Sequence, residues 1–395
     1  MTRIRKLLPK LMAANFGIMA FSQVYFLLPV YLEWVGVSGP ETVGWILGAY
    51  YAASTFPRPF LAQLVERFPL RKVLMAAAVL CAVGGVGLAL SGSSVPLLIF
   101  WRTLSGFAFG LYLVALTTYQ TMVIPDEVRG GAFALVAVGA MAPFVISLPL
   151  GDWFLQKGSF SFYIWMGPML AVLSGFIAFI LRPAGATKDE KGKKEKKEQW
   201  GRWTDLLRLR PLQVLMVSTV LYGLTDAAII SVTPLAMDKN LVPSAFMASF
   251  AVGALLIRIL GFKILDLFPR YGTAAVVIAV NAAALFGTSF AGSNRAFAFW
   301  GFFYGLGVGV GFPLYLALIG DVAPQSLRPK ATALVWFILD GCFFVTPVLM
   351  GYLTSCFGAP GAFRLLPGII FFCTPALYWF LWRPLMGDKK EDSRE

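Results

Sequence analysis

The chain has 395 residues, 58% of them hydrophobic and 13% charged, with a net charge of +13 and no histidine. Soluble domains carry roughly 25% charged residues, so this balance excludes a soluble fold of this length. It also excludes histidine metal sites and histidine proton relays. The four cysteines, Cys81, Cys342, Cys356 and Cys373, stand without metal spacing, so no metal site and no cofactor are expected.

Apolar runs of about 20 residues recur along the chain, each long enough to cross a bilayer core of roughly 30 Å as a helix. They are apolar on all sides, whereas barrel strands would alternate over about ten residues. The fold class is therefore an all-α membrane protein. Twelve transmembrane helices are read, at 11–34, 42–64, 73–91, 96–120, 131–153, 160–181, 212–236, 244–264, 273–290, 296–320, 331–354 and 363–382. The first run is too long for a signal-peptide core and is taken as a retained span. With these bounds, 25 of the 33 basic residues fall on the side that holds both termini and the 182–211 segment. Lys157, Lys239, Arg295 and Arg364 fall at the opposite side. Basic loops stay in the cytoplasm, so a bacterial-type inner membrane with both termini cytoplasmic is expected. The positive charge is then a topology signal, and no nucleic-acid partner is expected. The expected partners are the lipid bilayer and a small-molecule substrate, and the expected state is a monomer.

Taken in chain order, helix one offers Asn15, Ser22, Gln23 and Tyr25 as polar groups, with Glu33 near its outer end. Helix two ends in "RPFLAQLVERFPLRKVL", which packs Arg58, Glu66, Arg67, Arg71 and Lys72 into a short stretch. Arg58 lies about two turns inside the helix end, a depth from which a long basic side chain can snorkel. Helix four carries Arg102 mid-span, then Tyr112, Tyr119 and Gln120; Pro125 and Arg129 follow. A charge inside a span costs several kcal/mol, which makes Arg102 a functional candidate. Between helices six and seven, "KDEKGKKEKKEQ" is a solvated charge run. In the "WGRWTDLLRLRPL" that follows, Trp200, Trp203, Leu206 and Leu207 share a helical face suited to an interface.

Helix seven holds Asp226 mid-span and helix eleven holds Asp340. Burial disfavours the charged form of a carboxyl group, so such a group can load and release a proton. Either could alternatively pair with Arg102 or with a cationic substrate. Helix eight holds Arg258 and Lys263, and Asp266 lies just beyond. The run "GLGVGVGF" in helix ten lacks the strand and acidic residue of a dinucleotide loop. Small residues so spaced let membrane helices approach closely. No phosphate-binding loop is seen, so nucleotide hydrolysis is not expected, and any driving force would be a gradient. Carboxylates and carbonyls suit sodium as well as protons, and both ions stay open.

The two halves repeat at a nearly constant offset. Arg58 matches Arg258, and Glu66-Arg67-Phe68-Pro69 matches Asp266-Leu267-Phe268-Pro269, two hundred residues apart. Trp101, Gly106, Gly110, Pro125 and Arg129 match Trp300, Gly305, Gly309, Pro324 and Arg328 at an offset of 199. This register argues for a duplicated six-helix unit. The domains are read as 1–181 and 212–382, with a linker at 182–211 and a tail at 383–395. Transporters built from repeats place substrate at the repeat interface.

The stretch Ala62 to Leu74 resembles the signature loop of the major facilitator superfamily, G-x-L-a-D-R-x-G-R-R/K-x-x-L. Alanine stands for the first glycine, Glu66 for the aspartate, Pro69 for the second glycine and Leu70 for the first of the basic pair. Leu98, Arg102, Ser105, Gly106 and Ala108 are similar to the family's helix-four pattern, and Thr346 to Gly358 to its helix-eleven ending. The resemblance implies two pseudo-symmetric six-helix bundles working by alternating access, with helices one, four, seven and ten around a central cavity. It implies a proton-coupling or charge-balancing role for Arg102 and cavity positions for Gln23, Tyr25, Tyr112 and Tyr119. It also implies a cytoplasmic gate of Glu66, Arg67, Arg71, Lys72, Asp266, Arg129 and Arg328. There, Glu66 would cap the start of helix eleven, whose N-terminus carries partial positive charge, and Asp266 would do the same toward helix five.

Three functions compete. The first is a proton-coupled exporter of an amphipathic or drug-like compound, with Arg102, Asp226, Asp340 and Glu33 as coupling residues. Against it, "GAMAPFVISLPLGD" matches poorly the glycine–proline motif of drug antiporters. The second is a carrier of an organic anion or small metabolite with Arg102 as the anion contact. The third is a lipid or lysolipid translocator. An enzyme is not expected, because no nucleophile–base or metal constellation stands out.

Overall fold

The computed structural model describes residues 2–124, 129–181, 204, 208–260 and 269–385. The side chains of Glu66 and Arg129, the residues Lys263 and Asp266, nearly all of the 182–211 linker with Trp200, Trp203, Leu206 and Leu207, and the tail from 386 onward lie outside the described residues.

The described chain is helical. In the first half run α1 (Thr2–Val24), α2 (Leu28–Trp34), α3 (Pro40–Thr55), α4 (Arg58–Arg67), α5 (Leu70–Leu90), α6 (Val95–Val123), α7 (Arg129–Met141), α8 (Ser147–Gln156) and α9 (Phe160–Ile180). In the second half run α10 (Arg210–Ala227), α11 (Val232–Asp238), α12 (Pro243–Leu260), α13 (Arg270–Thr288), α14 (Asn294–Val322) and α15 (Arg328–Ala376), the last continuing as a π-helical turn at Leu377–Trp382.

Nine segments among the described residues are long and apolar enough to cross a bilayer. The count differs from twelve for physical reasons. One segment, Lys330–Leu385, has 56 residues, about twice what a bilayer needs. It breaks at Gly358, whose φ of 71° is left-handed and easy only for glycine. The second span is cut at Phe56–Pro57 into α3 and α4, and α12 is short at 18 residues. Counting the double segment twice and these two once is consistent with twelve crossings.

Contacts sort the helix ends onto two faces. On one, which we call the terminal face, Tyr271 at the start of α13 packs on Trp382, ring centroids 5.0 Å apart. There Arg270 pairs with Asp321 at 2.9 and 3.1 Å, and Arg71 lies 4.7 Å over the Phe179 ring. On the far face Trp34 stacks on Phe160 at 4.7 Å, and the Lys239 ammonium donates to the Ala291 carbonyl at 3.1 Å.

The repeat seen in the sequence is a packing repeat. Gly106 and Gly110 of α6 press against the backbone of Tyr50 and Ser54 on α3; Gly305 and Gly309 of α14 press against Phe250 and Ala254 on α12. Trp101 fills the space over Gly87, and Trp300 fills the same space over Gly287. The glycine run of α14 is thus a close-packing stripe, as its spacing predicted: Gly307 faces Asn281 and Gly311 faces Tyr222.

Two spans are broken in the same way. The first unwinds into a 3₁₀ turn at Tyr25–Leu27, the seventh at Ala228–Ser231. Each restarts as a helix of seven residues carrying a proline, Pro29 or Pro234, whose missing N–H and ring disfavour a straight helix. Large apolar side chains such as Phe372 and Phe380 are exposed on the outer surface, as a lipid-facing girdle requires.

Candidate functional site

The two halves meet along three seams. Along α3 and α15, Gly44 lies against the Pro347 carbonyl, Gly48 against Val348 and Phe344, and Gly351 against Pro40. Aromatic pairs continue this seam: Trp45–Phe344 at 6.1 Å, Tyr51–Phe343 at 5.4 Å and Phe56–Phe337 at 5.9 Å. Between α8 and α12, the Asp152 carboxylate accepts from the Ser244 backbone N–H at 2.9 Å. That N–H belongs to the first turn of α12, where a negative charge is favoured. Phe144 and Phe250 meet 5.2 Å apart in the same seam. Between the broken spans, the Thr233 hydroxyl donates to the Phe26 carbonyl at 2.6 Å.

Inside the first half, Arg102 is 2% exposed. Its guanidinium lies 5.0 Å from the Tyr25 ring centroid and 4.3 Å from that of Tyr50. Ring faces stabilise a desolvated cation by about 2 kcal/mol or more. Its Nε and Nη1 have no hydrogen-bond partner. The expectation that Asp226 or Asp340 pairs with Arg102 does not hold in this conformation. Tyr25 offers Arg102 its ring, while its hydroxyl is wedged among Gly85, Gly167 and Pro168 within its own bundle. Tyr112 donates to the Ser174 carbonyl on α9 at 3.2 Å, and Gln23 to the Ala140 carbonyl at 3.0 Å. Tyr119 is buried on α6. Of the polar groups read as cavity contacts, these three hydrogen-bonding or wedged side chains are engaged in helix packing.

Asp340 sits on α15 and forms an ion pair with Arg58, at the start of α4 in the other half. Arg58 Nε also donates to the Ser54 carbonyl at 3.2 Å. Arg58 therefore does not snorkel, because a carboxylate faces it within the seam. Its counterpart Arg258 stays in its own half, where Nε donates to the Gly309 carbonyl at 3.3 Å.

Asp226 is half-buried at the end of α10, just before the span unwinds. Unwinding frees backbone carbonyls there, and the Tyr304 hydroxyl takes up those of Thr225 and Asp226 at 3.0 and 2.7 Å. Beside them Tyr222 stacks on Tyr315 at 4.8 Å, and Tyr315 meets the Ser218 hydroxyl at 2.6 Å.

Glu33 stands near the outer end of its span, where the sequence placed it. Two turns of α2 carry it past the 3₁₀ break to the far face, where it is exposed. There it lines a cavity of about 320 Å³ together with Asp238, Pro40, Pro234, Pro347 and Met350. At the terminal face, Arg67 and Lys72 are exposed. Arg328, read as a gate residue, donates instead to the Ala323 and Gly320 carbonyls at 3.2 and 3.0 Å and caps the end of α14. Among the described residues no three Cys, Asp or Glu side chains gather as a metal site would need.

Tyr50, Asp152, Thr233, Tyr304 and Asp321 were not singled out in the sequence. Asp152 carried a usable signal, a carboxylate at the very end of an apolar run. Thr233 and Tyr304 carried none.

Comparison with known proteins adds the following. The profile of the Major Facilitator Superfamily matches residues 11–290 and 215–395. The uncharacterized MFS-type transporter YtbD of Bacillus subtilis (strain 168) is 25% identical over 224 residues, 56% of this chain and 53% of its own length. The putative metabolite transport protein YwtG of the same organism is 25% identical over 115 residues, 28% of this chain and 25% of its own. The chain thus matches about half or less of the length of these curated relatives. Among solved structures, a POT family transporter in complex with 5-aminolevulinic acid matches with a TM-score of 0.78 at 12% identity, covering 95% of this chain and 96% of that one. A bacterial homolog of the human lysosomal transporter Spinster, inward-facing and unoccupied, matches with a TM-score of 0.76 at 13% identity over 97% and 98%. The nucleoside transporter NupG, as its D323A mutant, matches with a TM-score of 0.75 at 12% identity over 95% and 99%. At such identities the likeness is one of fold.

Proposed function

The chain belongs to the major facilitator superfamily, and from that premise we propose a proton-coupled secondary transporter that exports an amphipathic organic solute. It works by alternating access across a bacterial-type inner membrane. The positive-inside rule makes the terminal face cytoplasmic. The observation that carries the reading is the pair of mid-span carboxylates, Asp226 and Asp340, the second ion-paired with Arg58 across the seam and neither tied to Arg102. Burial disfavours the charged form of a carboxyl group, which is the property a proton-carrying group in a span needs. The named contacts between halves run from the far face to the middle, which supports a state closed on the far face. The solved relatives carry different cargoes, so they do not point to one substrate.

A second reading, an organic-anion carrier, is favoured by the two unpartnered nitrogens of Arg102. Against it stands the cover of Tyr25 and Tyr50, which an anion would have to displace.

The test is a reconstitution with a pH-sensitive dye inside proteoliposomes. Lipophilic cations, anionic metabolites, sugars and lysolipids are added in turn. The proposal expects a lipophilic cation to drive proton movement that Asp226→Asn and Asp340→Asn each abolish. Proton-independent uptake of an anion, lost in Arg102→Ala, replaces it with the second reading.

A further inference from the structure

On the far face the repeat places one carboxylate in each half. In α2, Glu33 follows Pro29 by four residues; in α11, Asp238 follows Pro234 by four residues. Each proline lies just past the 3₁₀ turn of its span. The two carboxylates therefore stand about one helical turn beyond matching breaks. Both residues are exposed, and both line the far-face cavity of about 320 Å³.

The rest of the cavity is mostly apolar. Val43 and Leu47 of α3 line it from one half, Met237 of α11 and Met350 of α15 from the other. Methionine side chains adapt to ligands of varied shape. Ser231 lines it from the turn where the seventh span unwinds and is only 6% exposed. Its hydroxyl has no hydrogen-bond partner among the described residues, whereas Ser218, Thr219, Thr225 and Thr233 of the same span are all engaged. The nearby cations turn elsewhere. Lys239 donates to the Ala291 carbonyl at 3.1 Å, Arg364 lies 4.5 Å over the Phe290 ring and Lys157 6.0 Å from the Trp153 ring. Among the described residues neither Glu33 nor Asp238 has an ion-pair partner. Two unpaired carboxylates over an apolar wall repel an anion and complement a cation that has an apolar body. A bare metal ion fits poorly, since magnesium or calcium asks for about six or more oxygen ligands and no three acidic side chains gather among the described residues.

We propose that this cavity is a vestibule site for an amphipathic organic cation, with Glu33 and Asp238 holding the charge at its rim and the apolar wall holding the body. The inference deepens the export reading, on which it rests for the direction of travel only. Ligand pockets run from about 300 to 1,000 Å³, so a cavity at the small end takes a single-ring compound. Ser231 supplies one free hydroxyl at its inner end. The cavity lies outside the α3–α15 seam, where Gly44 meets the Pro347 carbonyl. It is thus open to the far side while that seam is closed, and filling it needs no contact with Arg102, Asp226 or Asp340. A cation that has crossed rests there before it leaves, and the same cation added outside occupies the same place.

The test is a calorimetric titration of the purified full chain with benzyltrimethylammonium, a single-ring quaternary cation whose charge does not vary with pH. Glu33→Gln and Asp238→Asn should each weaken binding about two- to fivefold, as for exposed ion pairs, and the double variant about tenfold. Tetramethylammonium, which keeps the charge and lacks the ring, should bind at least about tenfold more weakly. Val43→Trp, which fills the cavity and keeps both carboxylates, should abolish binding. Melting temperatures separate loss of the site from misfolding, and the rim positions are exposed, so their variants carry the test even where Val43→Trp does not fold. Binding unchanged in the double rim variant overturns the vestibule, as does loss in Asp226→Asn alone, which would place the cation mid-span. Equal binding of magnesium or tetramethylammonium also overturns it, since charge alone would then suffice. Proton movement in the dye assay is scored separately. If the rim binds the cation and no lipophilic cation drives proton movement, the vestibule stands and the export reading falls. If lipophilic cations drive proton movement while the rim variants leave binding unchanged, the vestibule falls and the export reading stands.

Discussion

Replacing Gly44 by alanine puts a number on the seam between α3 and α15. The added methyl carbon would sit 2.5 Å from the Pro347 carbonyl oxygen and 3.3 Å from Val348 Cα. A carbon–oxygen contact needs about 3.3 Å, so the two backbones must part by about 0.8 Å or one helix must turn. Both contacts are with backbone, so no flexible side chain can absorb the strain. Overpacking of this kind costs about 1–3 kcal/mol. In the proposed cycle the seam forms as the far face closes, so the cost falls on that state and favours opening by about 5- to 150-fold. The readout is the rate at which an impermeant maleimide modifies Leu47→Cys, a seam position that is 2% exposed, in the chain with Cys356→Ser and Cys373→Ser. Gly341→Ala is the control, since a methyl group there meets nothing within 4 Å; its rate should stay within about twofold of the parent. If Gly44→Ala folds and its rate also stays within about twofold, the seam is not what closes the far face.

Thr233→Val removes the hydroxyl that ties the seventh span to the Phe26 carbonyl; a net loss of about 1 kcal/mol should raise the same maleimide rate several-fold. Asp152→Ala leaves the first turn of α12 without its charged acceptor and should lower the melting temperature in detergent, while Asp152→Asn, which keeps an acceptor oxygen, should cost less than half as much. Tyr25→Phe removes a buried hydroxyl that has no partner and keeps the ring beneath Arg102. Its melting temperature should hold or rise, equivalent to at most about 1 kcal/mol. A fall of several degrees would show that the hydroxyl has a partner after all.

Much of the fold was legible because membrane helices are written in composition. The span-length runs, the glycine stripes and the paired tryptophans each reflect a local requirement, and each recurs in the packing. Gly106 and Gly305 meet matching backbones, as their shared register implied. The spans cut at Phe56–Pro57 and Gly358 were harder to see, since an apolar run does not reveal where its axis bends. The polar site was less legible. Arg102, Asp226 and Asp340 were found because a charge in an apolar run is costly wherever it sits. Their partners were not found, because partnership is a tertiary fact. Arg58 meets Asp340 across the whole duplication, and Tyr50 reaches Arg102 only because Gly106 brings α3 against α6. Arg328 shows the converse: its position in the repeat suggested a gate, while carbonyls at the end of α14 claim its guanidinium.

The broken spans are tied where Thr233 of α11 donates to the Phe26 carbonyl in the first 3₁₀ turn, and beyond the 3₁₀ turns lie two short helices, α2 and α11. Each is two turns long and joined to its span where the helical hydrogen-bond ladder is interrupted. In the proposed cycle, uncovering the far side at that point asks these two short segments to swing as the bundles rock. Small loop-like segments rearrange in nanoseconds to microseconds, whole domains in microseconds to milliseconds. On that reading the far-side aperture has a faster element nested inside a slower one. Under the proposed export, a solute leaving by that route would meet a door that flickers many times within each stroke of the larger machine.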